Sequence, residues 1–215
     1  MPLIHIESPQ PGARLILWKI TESEEELTSL VLTGERSDFI PPAIIKSKKR
    51  RLEWLATRNA FLQTNNDKAF NIAYNENGKP FPLNNKSHLS ISHAWPMVCI
   101  MEHESVAVGV DIECITDRII KIAEKFINKQ ERNWLSTPDN LNELYLIWAA
   151  KEALFKMKGV TGVDFRKDLT LSETNIQQEG VTTILYNKDG AAERFNIYYR
   201  FLDGMILVYT IAFPL

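Results

Sequence analysis

Two short segments carry charged residues whose types and spacing suit a metal ion and a phosphate ester. In residues 106–113, Asp111 and Glu113 alternate with β-branched residues. Because side chains of a strand point to alternate faces, the two carboxylates share one face. Glu152 and Lys156 are four residues apart in a predicted helix, which places both on one helix face. A strand and a helix could therefore present three carboxylates and one ammonium group to a hard divalent cation and a phosphate.

The same residues predict which ion and substrate class would be bound. If Asp111, Glu113 and Glu152 converge, each carboxylate pair at ~4 Å repels by roughly 4 kcal/mol at an effective dielectric constant near 20. A cation relieves this repulsion, and ligands that are all oxygen atoms favour Mg²⁺ or Mn²⁺ over zinc. Mg²⁺ keeps positions open for substrate phosphates, so we predict a phosphate or pyrophosphate ester. The alternative is that the two strand carboxylates are solvated side chains of an edge strand.

Three other segments could bind phosphate oxygens. Lys79 lies in a predicted turn, where it either points at a phosphate or is exposed. Ser92 and His93 end a predicted strand, where they either donate hydrogen bonds to a phosphate or form a structural pair in the core. The basic run at residues 46–51 is either a solvated helix end or a surface for a phosphate or an acidic protein.

The composition excludes several function classes. Of 215 residues, 45% are hydrophobic and 24% are charged, which is typical of a globular protein. A net charge of −2 gives no general attraction to nucleic acid, and no aromatic residues interleave with the basic run. No apolar run approaches the ~18 residues of a membrane span. Cys99 and Cys114 lack metal-binding spacing, and we predict buried thiols in a reducing compartment, with a disulfide as the alternative. We predict a cytoplasmic protein without a nucleic-acid or membrane partner.

The predicted elements suggest an α+β fold built from two similar halves. Helices are predicted over residues 43–64 and from about 138 to 158, and a hairpin is predicted to join the strand at 97–101 to the strand at 106–112. Residues 54–61 match residues 148–155 in the pattern Trp-x-Ala-x4-Phe. We predict a pseudo-two-fold relation between residues 1–108 and 109–215. Each half would be a helix packed on a small antiparallel sheet, with the active site between the halves.

These motifs together resemble the 4′-phosphopantetheinyl transferase superfamily. The resemblance covers about residues 45–160 and is closest to the long, monomeric, pseudo-dimeric type that activates peptide and polyketide synthetases. Its most specific parts are Gly-x-Asp-x-Glu at residues 109–113 and Trp-x-x-Lys-Glu-x3-Lys at residues 148–156. The supporting parts are Arg58, Gly78-Lys79-Pro80 and Ser90-Ile91-Ser92-His93.

The resemblance implies a reaction and a role for each matching residue. The phosphopantetheine arm of coenzyme A would pass to a serine of an apo acyl or peptidyl carrier protein, releasing 3′,5′-ADP. Asp111, Glu113 and Glu152 would bind Mg²⁺, with Mn²⁺ as an alternative. Glu152 would take the serine proton, and Lys156 would neutralise charge on the bridging and leaving oxygens. The coenzyme A contacts would be Arg51, Arg58, Lys79, Ser92, His93, Asp111, Lys151 and Lys156. Of these, Arg58, Lys79, Ser92 and His93 match the family's phosphate-binding positions.

Some questions stay open at this point. The bulky Trp95 follows His93 where the family has small residues, so it could reshape the nucleotide pocket. Two other functions remain: a non-catalytic module that binds coenzyme A or carriers, and a Mg²⁺-dependent pyrophosphatase. Neither the carrier served nor the use of acyl-coenzyme A follows from the sequence. Residues 39–42, the basic run and the loop after Glu113 are candidate carrier-docking segments.

Overall fold

The computed structural model describes residues 3–32, 41–64, 71–83 and 86–213. The chain divides into two compact units, Met1–Ser105 and Val106–Leu215. Each is described below by itself. The boundary predicted from the sequence, after residue 108, falls just inside the first strand of the second unit. Among the described residues, no helix is long and apolar enough to cross a membrane.

The first unit contains two helices and six strands in the part of the chain that is described. Four of the strands form an antiparallel sheet in the order β1-β2-β6-β5, and β3 pairs with β4 separately. The elements are β1 (Leu3–Glu7), β2 (Ala13–Lys19), α1 (Glu24–Leu32), α2 (Lys48–Thr64), β3 (Ile72–Tyr74), β4 (Pro80–Pro82), β5 (His88–Ala94) and β6 (Met97–His103).

The helix α2 packs on one face of the four-stranded sheet. Leu55 and Phe61 of α2 lie in one buried cluster with Trp18 and Ile100 of the sheet. Burial of large side chains of this kind stabilises the folded state by about 1.5–3 kcal/mol each. This packing fixes the position of α2 on the sheet, and with it the positions of the side chains on the other faces of the helix.

The helix α2 begins at Lys48 and not near Ala43, so the predicted start was wrong. Ser47 stands before the first turn, and its Oγ accepts a hydrogen bond from the backbone N–H of Arg50 at 3.5 Å. A serine in this place satisfies a backbone donor that no earlier turn can reach. Ile44, which the predicted start placed inside the helix, lies before it and is 85% exposed.

The second unit packs one long helix across a five-stranded antiparallel sheet of strand order β7-β11-β10-β9-β8. A 3₁₀ segment, Asp117–Ile122, precedes the short helices. The elements are β7 (Val108–Cys114), α3 (Ala123–Phe126), α4 (Lys129–Trp134), α5 (Leu141–Lys158), β8 (Leu169–Leu171), β9 (Glu179–Lys188), β10 (Ala191–Leu202) and β11 (Met205–Ile211). Sheets and helices of this kind in both units confirm the predicted α+β class, while the pseudo-two-fold relation stays a prediction.

The strand β7 has a different partner from the one predicted. It pairs along its whole length with β11, from Val108 opposite Ile211 to Cys114 opposite Met205. The predicted hairpin between the strands at 97–101 and 106–112 is therefore wrong. The turn-like composition of residues 102–105 favoured a hairpin between β6 and β7. The strand that pairs with β7 is instead β11, at the other end of the second unit.

The long helix α5 ends as predicted and begins slightly later than predicted. Gly159 closes it with a positive φ of 62°, a conformation that glycine adopts without steric cost. Its first residue is Leu141, and the side chain of Asn140 accepts a hydrogen bond from the backbone N–H of Glu143. Asn140 therefore caps the helix, and not Thr137, which the sequence suggested.

Gly109 lets the backbones of β7 and α5 approach closely. A Cβ atom at this position would lie 1.8 Å from the carbonyl oxygen of Ala153 in α5. No side chain fits in that space, and the obstructing atom belongs to backbone. The absence of a side chain at residue 109 is thus what allows α5 to lie directly over the carboxylate-bearing strand.

Replacing Gly109 with alanine is expected to lower the free energy of unfolding by about 3 kcal/mol or more, because the helix must move off the strand. Urea unfolding followed by circular dichroism measures this. Gly180→Ala is the comparison and should cost less, since a Cβ there meets the Tyr199 side chain at 2.7 Å and not backbone. An unfolding midpoint for Gly109→Ala equal to that of the wild type would contradict the close approach.

Candidate functional site

The two carboxylates of β7 lie on the face of the sheet that α5 covers. Asp111 pairs in register with Val208 and Glu113 with Ile206, both of which belong to the core beneath α5. Residues that face each other on neighbouring antiparallel strands share a sheet face. The alternation of residues 106–113 therefore predicted the face correctly.

Asp111 forms an ion pair with the helix lysine that the sequence placed near it. The ammonium nitrogen of Lys156 donates a hydrogen bond to Asp111 Oδ1 at 2.6 Å. Asp111 is 3% exposed, whereas Lys156 keeps part of its side chain in solvent. An ammonium group in this position can also approach an anionic ligand that comes from solvent.

Glu113 and Glu152 are half-buried, and the negative charge of Asp111 acts on both. Burial, and then the negative charge of Asp111, raises the pKa of Glu113, against the opposing effect of Trp148 and Lys156. The pKa of Glu152 is raised to about 7 by burial first and then by the charges of Asp111 and Glu113, with Lys156 opposing the shift. A carboxyl group whose pKa lies near neutral pH suits a general base.

The oxygen atoms of these carboxylates are chemically suitable ligands for a hard divalent cation. All the ligand atoms would be carboxylate oxygens, and a cation would relieve the repulsion that raises the pKa values of Glu113 and Glu152. Over the described ranges, however, no three His, Cys, Asp or Glu side chains are arranged closely enough to hold a metal ion. The side chains would therefore have to adjust for a cation to bind.

Lys151, which the resemblance suggested as a coenzyme A contact, lies in the core. Its side chain is 0% exposed, and its ammonium donates to Glu131 Oε2 at 2.7 Å and to the backbone oxygens of Phe126 and Phe165 at 2.7 and 2.8 Å. These three acceptors use all three N–H bonds of the ammonium group. This geometry corrects the predicted role, since Lys151 has no donor left for a phosphate.

In the first unit, Arg58 is a buried cation held against an aromatic ring. Arg58 is 5% exposed, and its guanidinium carbon lies 3.5 Å from the centroid of the Trp54 ring. Burial lowers the pKa of Arg58 to about 10, and a hydrogen bond with Tyr74 opposes this shift. Arg58 is thus still charged at neutral pH and ready to bind an anion.

Arg58 and His93 line one pocket of about 390 Å³. His93 Nε2 lies 3.2 Å from Thr57 Oγ1, which ties the imidazole to α2. Lys46 and Arg50 of the basic run line the same pocket, where Arg50 donates a hydrogen bond to the buried carboxylate of Glu53 at 2.9 Å. The pocket combines cations with apolar and aromatic walls, as a nucleotide phosphate site requires.

The other predicted coenzyme A contacts lie outside the lining of this pocket. Ser92 is adjacent to His93 in β5 and therefore points to the opposite face of the sheet. Arg51 forms an ion pair with Glu24, and burial lowers the pKa of Lys79. Trp95, at the turn between β5 and β6, is 39% exposed and is also absent from the lining. That Ser92, Arg51 and Lys79 contact coenzyme A remains a prediction.

Two aromatic neighbours were not assigned to the site from the sequence. Trp148 donates a hydrogen bond from its indole nitrogen to Glu113 Oε1 at 2.9 Å, and Trp54 stacks on Arg58. The spacing of Trp148, four residues before Glu152, was a signal that could have indicated the first contact. The second had a weaker signal, the match of residues 54–61 to 148–155.

Comparison with known proteins agrees with this geometry. The family model of the 4′-phosphopantetheinyl transferase superfamily matches residues 107–202, most of the second unit. The 4′-phosphopantetheinyl transferase gsp of Aneurinibacillus migulanus is 33% identical over 141 residues, 62% of this chain and 58% of that protein. The 4′-phosphopantetheinyl transferase psf-1 of Bacillus pumilus is 31% identical over 112 residues, 50% of this chain and 46% of that protein.

A putative 4′-phosphopantetheinyl transferase of Haemophilus influenzae is 32% identical over 90 residues, 39% of this chain and 38% of that protein. The matched part of the chain thus spans between 38% and 58% of these relatives' lengths. The resemblance found in the sequence is confirmed, and gsp and psf-1 both carry the name 4′-phosphopantetheinyl transferase. Residues 107–202 of the chain are thus similar to the 4′-phosphopantetheinyl transferase superfamily.

Proposed function

We propose that this protein transfers the 4′-phosphopantetheine arm of coenzyme A to a serine of an apo acyl or peptidyl carrier protein. The observation that carries the proposal is Glu152, a half-buried carboxyl group with a pKa of about 7, beside Asp111, Glu113 and Lys156. The match of residues 107–202 to the superfamily's model and the names of the relatives support the same reaction. A group that binds a proton near neutral pH is what activation of a serine hydroxyl needs.

The reaction balances with one proton acceptor and one cationic side chain. Glu152 accepts the serine proton, directly or through a water molecule, as the serine oxygen bonds to the phosphorus that carries pantetheine. The bond from that phosphorus to the bridging oxygen breaks, and 3′,5′-ADP leaves with the electron pair. Lys156 neutralises the charge that develops on the bridging and leaving oxygens, which is the main electrostatic task in phosphoryl transfer.

Asp111, Glu113 and Glu152 are the residues that we propose to hold Mg²⁺ or Mn²⁺. When bound, the cation would supply charge neutralisation at the pyrophosphate. Lys156 already makes part of this contribution on Asp111, since their ion pair balances one carboxylate. The positive charge of the bound cation would then be shared by the oxygen atoms of the three carboxylates.

We place the nucleotide phosphates of coenzyme A in the pocket of Arg58 and His93, and we keep Lys79, Ser92 and Arg51 as proposed contacts. The proposed partners are coenzyme A and an apo carrier, with neither nucleic acid nor membrane. We further propose a monomer in the cytoplasm, and the absence of a disulfide at Cys99 and Cys114 is consistent with a reducing compartment. Of the carrier-docking candidates, Phe39 and Ile40 lie outside the described residues.

Replacing Arg58 with lysine is expected to raise the KM for coenzyme A about tenfold with little change in kcat. Lysine keeps the charge but loses the forked donors and the stacking on Trp54. Steady-state kinetics with varied coenzyme A measures this. Arg132→Lys, at an exposed ion pair with Glu124, is the control and should leave both constants unchanged. An unchanged KM in Arg58→Lys would contradict the pocket assignment.

The proposed function is tested by weighing carriers. A panel of apo fatty-acid, polyketide and peptide synthetase carriers is incubated with the protein, coenzyme A and Mg²⁺, and intact masses are measured. At least one carrier should gain the mass of a single phosphopantetheine arm at its serine. A second transferase of known activity shows that each carrier is competent. If competent carriers gain no mass from this protein, the proposal is wrong.

A further inference from the structure

The indole of Trp148 connects the catalytic helix to the metal-ligand strand. Trp148 lies on α5 one turn before Glu152, and its Nε1 donates a hydrogen bond to Glu113 Oε1 at 2.9 Å. Glu113 lies on β7, so this bond joins two different elements. A carboxylate that accepts a hydrogen bond at one oxygen has its orientation fixed and its other oxygen turned toward a different neighbour.

The indole ring is itself held in place by two other aromatic rings. The centroid of Trp148 lies 5.1 Å from that of Phe126 and 5.7 Å from that of Phe165, and both pairs are tilted. Tilted aromatic pairs at these distances are attractive beyond their simple burial. The ring therefore has few alternative orientations in which its N–H could leave Glu113.

The two phenylalanines are anchored by the buried lysine of the same helix. Lys151 Nζ donates to the backbone oxygens of Phe126 and Phe165, at 2.7 and 2.8 Å. Glu131 balances the charge of Lys151 and accepts a hydrogen bond from the backbone N–H of Leu171. The buried pair thus fixes the segments whose rings surround Trp148.

We propose that Trp148 is a positioning residue that directs Glu113 for binding a divalent cation. The inference rests on the proposed function, since it concerns the metal ligands of that site. Trp148 touches neither the substrate nor the reacting atoms in this role. It acts through Glu113, whereas a purely structural tryptophan would contribute packing alone.

Trp148→Phe tests the proposal because it keeps an aromatic ring and removes the N–H donor. Binding of Mn²⁺ to the protein without coenzyme A or carrier is measured by titration calorimetry. We expect affinity to fall about tenfold or more, the effect typical of losing a hydrogen bond to a metal ligand. The Mg²⁺ concentration for half-maximal transfer should rise similarly, while kcat at saturating Mg²⁺ and the KM for coenzyme A stay near wild type.

Two controls separate positioning from packing. Trp134→Phe changes a tryptophan of α4 that lines a separate cavity with Thr170 and Arg194, and it should leave Mn²⁺ affinity unchanged. In a Glu113→Ala background, Trp148→Phe should weaken Mn²⁺ binding no further, because its effect passes through Glu113. Additive losses in that background would overturn the proposal.

Wild-type Mn²⁺ affinity in Trp148→Phe, or no Mn²⁺ binding by the wild type, would also overturn it. If Trp148→Phe lowers the unfolding temperature without changing the metal requirement, the residue is structural and the proposal is again wrong. The Mn²⁺ titration needs no transfer reaction. A protein that binds Mn²⁺ through Trp148 and Glu113 but loads no carrier would therefore refute the proposed function while leaving this inference intact.

Discussion

Glu152→Gln is expected to reduce the rate of carrier loading about a thousandfold while leaving coenzyme A binding nearly unchanged. Glutamine has the size of glutamate but cannot accept the serine proton, and general-base catalysis contributes about 10²–10⁴-fold. Initial rates of loading, followed by intact mass, and calorimetric binding of coenzyme A give the two measurements. Equal rates for the variant and the wild type would contradict the assignment of the base.

The same substitution is expected to stabilise the fold, which distinguishes lost chemistry from unfolding. A carboxyl whose pKa rises on folding, here from 4.5 to about 7, makes the native state lose stability as pH increases through that interval. The free energy of unfolding that is lost in this way is at most on the order of 3 kcal/mol. A glutamine at this position does not titrate, so the variant avoids the loss. Urea unfolding at pH 5 and pH 8 without divalent cations should show a gain for the variant only at the higher pH.

The pH profile of the wild type follows from the same group. At limiting Mg²⁺, kcat/KM should rise with pH through about 7, because the base must lose its proton before it can act. More Mg²⁺ should move the midpoint to lower pH, since a nearby cation favours the carboxylate. A midpoint near the ordinary pKa of glutamate at every Mg²⁺ concentration would contradict the buried setting of Glu152.

Lys151→Met is expected to lower the free energy of unfolding by about 3–5 kcal/mol. The substitution leaves the fully buried carboxylate of Glu131 without its counter-charge and removes the donor of two backbone oxygens. Removing one partner of a buried ion pair costs more than removing both. Urea denaturation measures the loss.

The double variant Lys151→Met with Glu131→Gln tests that reason. Glutamine removes the unbalanced charge and can still accept a hydrogen bond from the backbone N–H of Leu171, although it loses the one that Glu131 Oε2 accepts from Asn128. The double variant should therefore be more stable than Lys151→Met alone. Lys167→Met, at an exposed ion pair with Asp164, is the surface control and should change stability by about 0.5 kcal/mol or less. Equal effects of Lys151→Met and Lys167→Met would show that the buried pair contributes nothing.

Periodicity alone predicted much of the carboxylate arrangement. The strand period of two placed Asp111 and Glu113 on one face, and the helical spacing placed Lys156 near them. These relations are local in sequence, or follow from one strand packed under one helix. Residues with such local relations are the ones that sequence patterns describe well.

Lys151 shows what a local pattern leaves out. It follows Trp148 by three residues and precedes Glu152 by one, so a rotation of about 100° separates it from the glutamate around the helix. Its side chain therefore points into the core while Glu152 faces the carboxylates. The partner that makes its burial possible, Glu131, lies on α4, and nothing in the sequence marks the pair.

The partner of β7 could not be predicted for a related reason. Turn-forming residues before Val106 favoured a hairpin with β6, but β7 pairs with β11 at the far end of the unit. Pairing between distant strands depends on how α5 covers the sheet, which local turn composition does not report. The close approach of α5 to β7 at Gly109 is part of that packing, and the sequence pattern likewise does not predict it.

The most direct test of the account is the ratio of 3′,5′-ADP released to carrier molecules loaded. Wild-type protein, coenzyme A and Mg²⁺ are incubated with and without a competent apo carrier, and both products are measured in the same samples. The account predicts one 3′,5′-ADP for each phosphopantetheine arm on the carrier serine, and none without carrier. Release of 3′,5′-ADP in the absence of carrier would indicate a pyrophosphatase and contradict it.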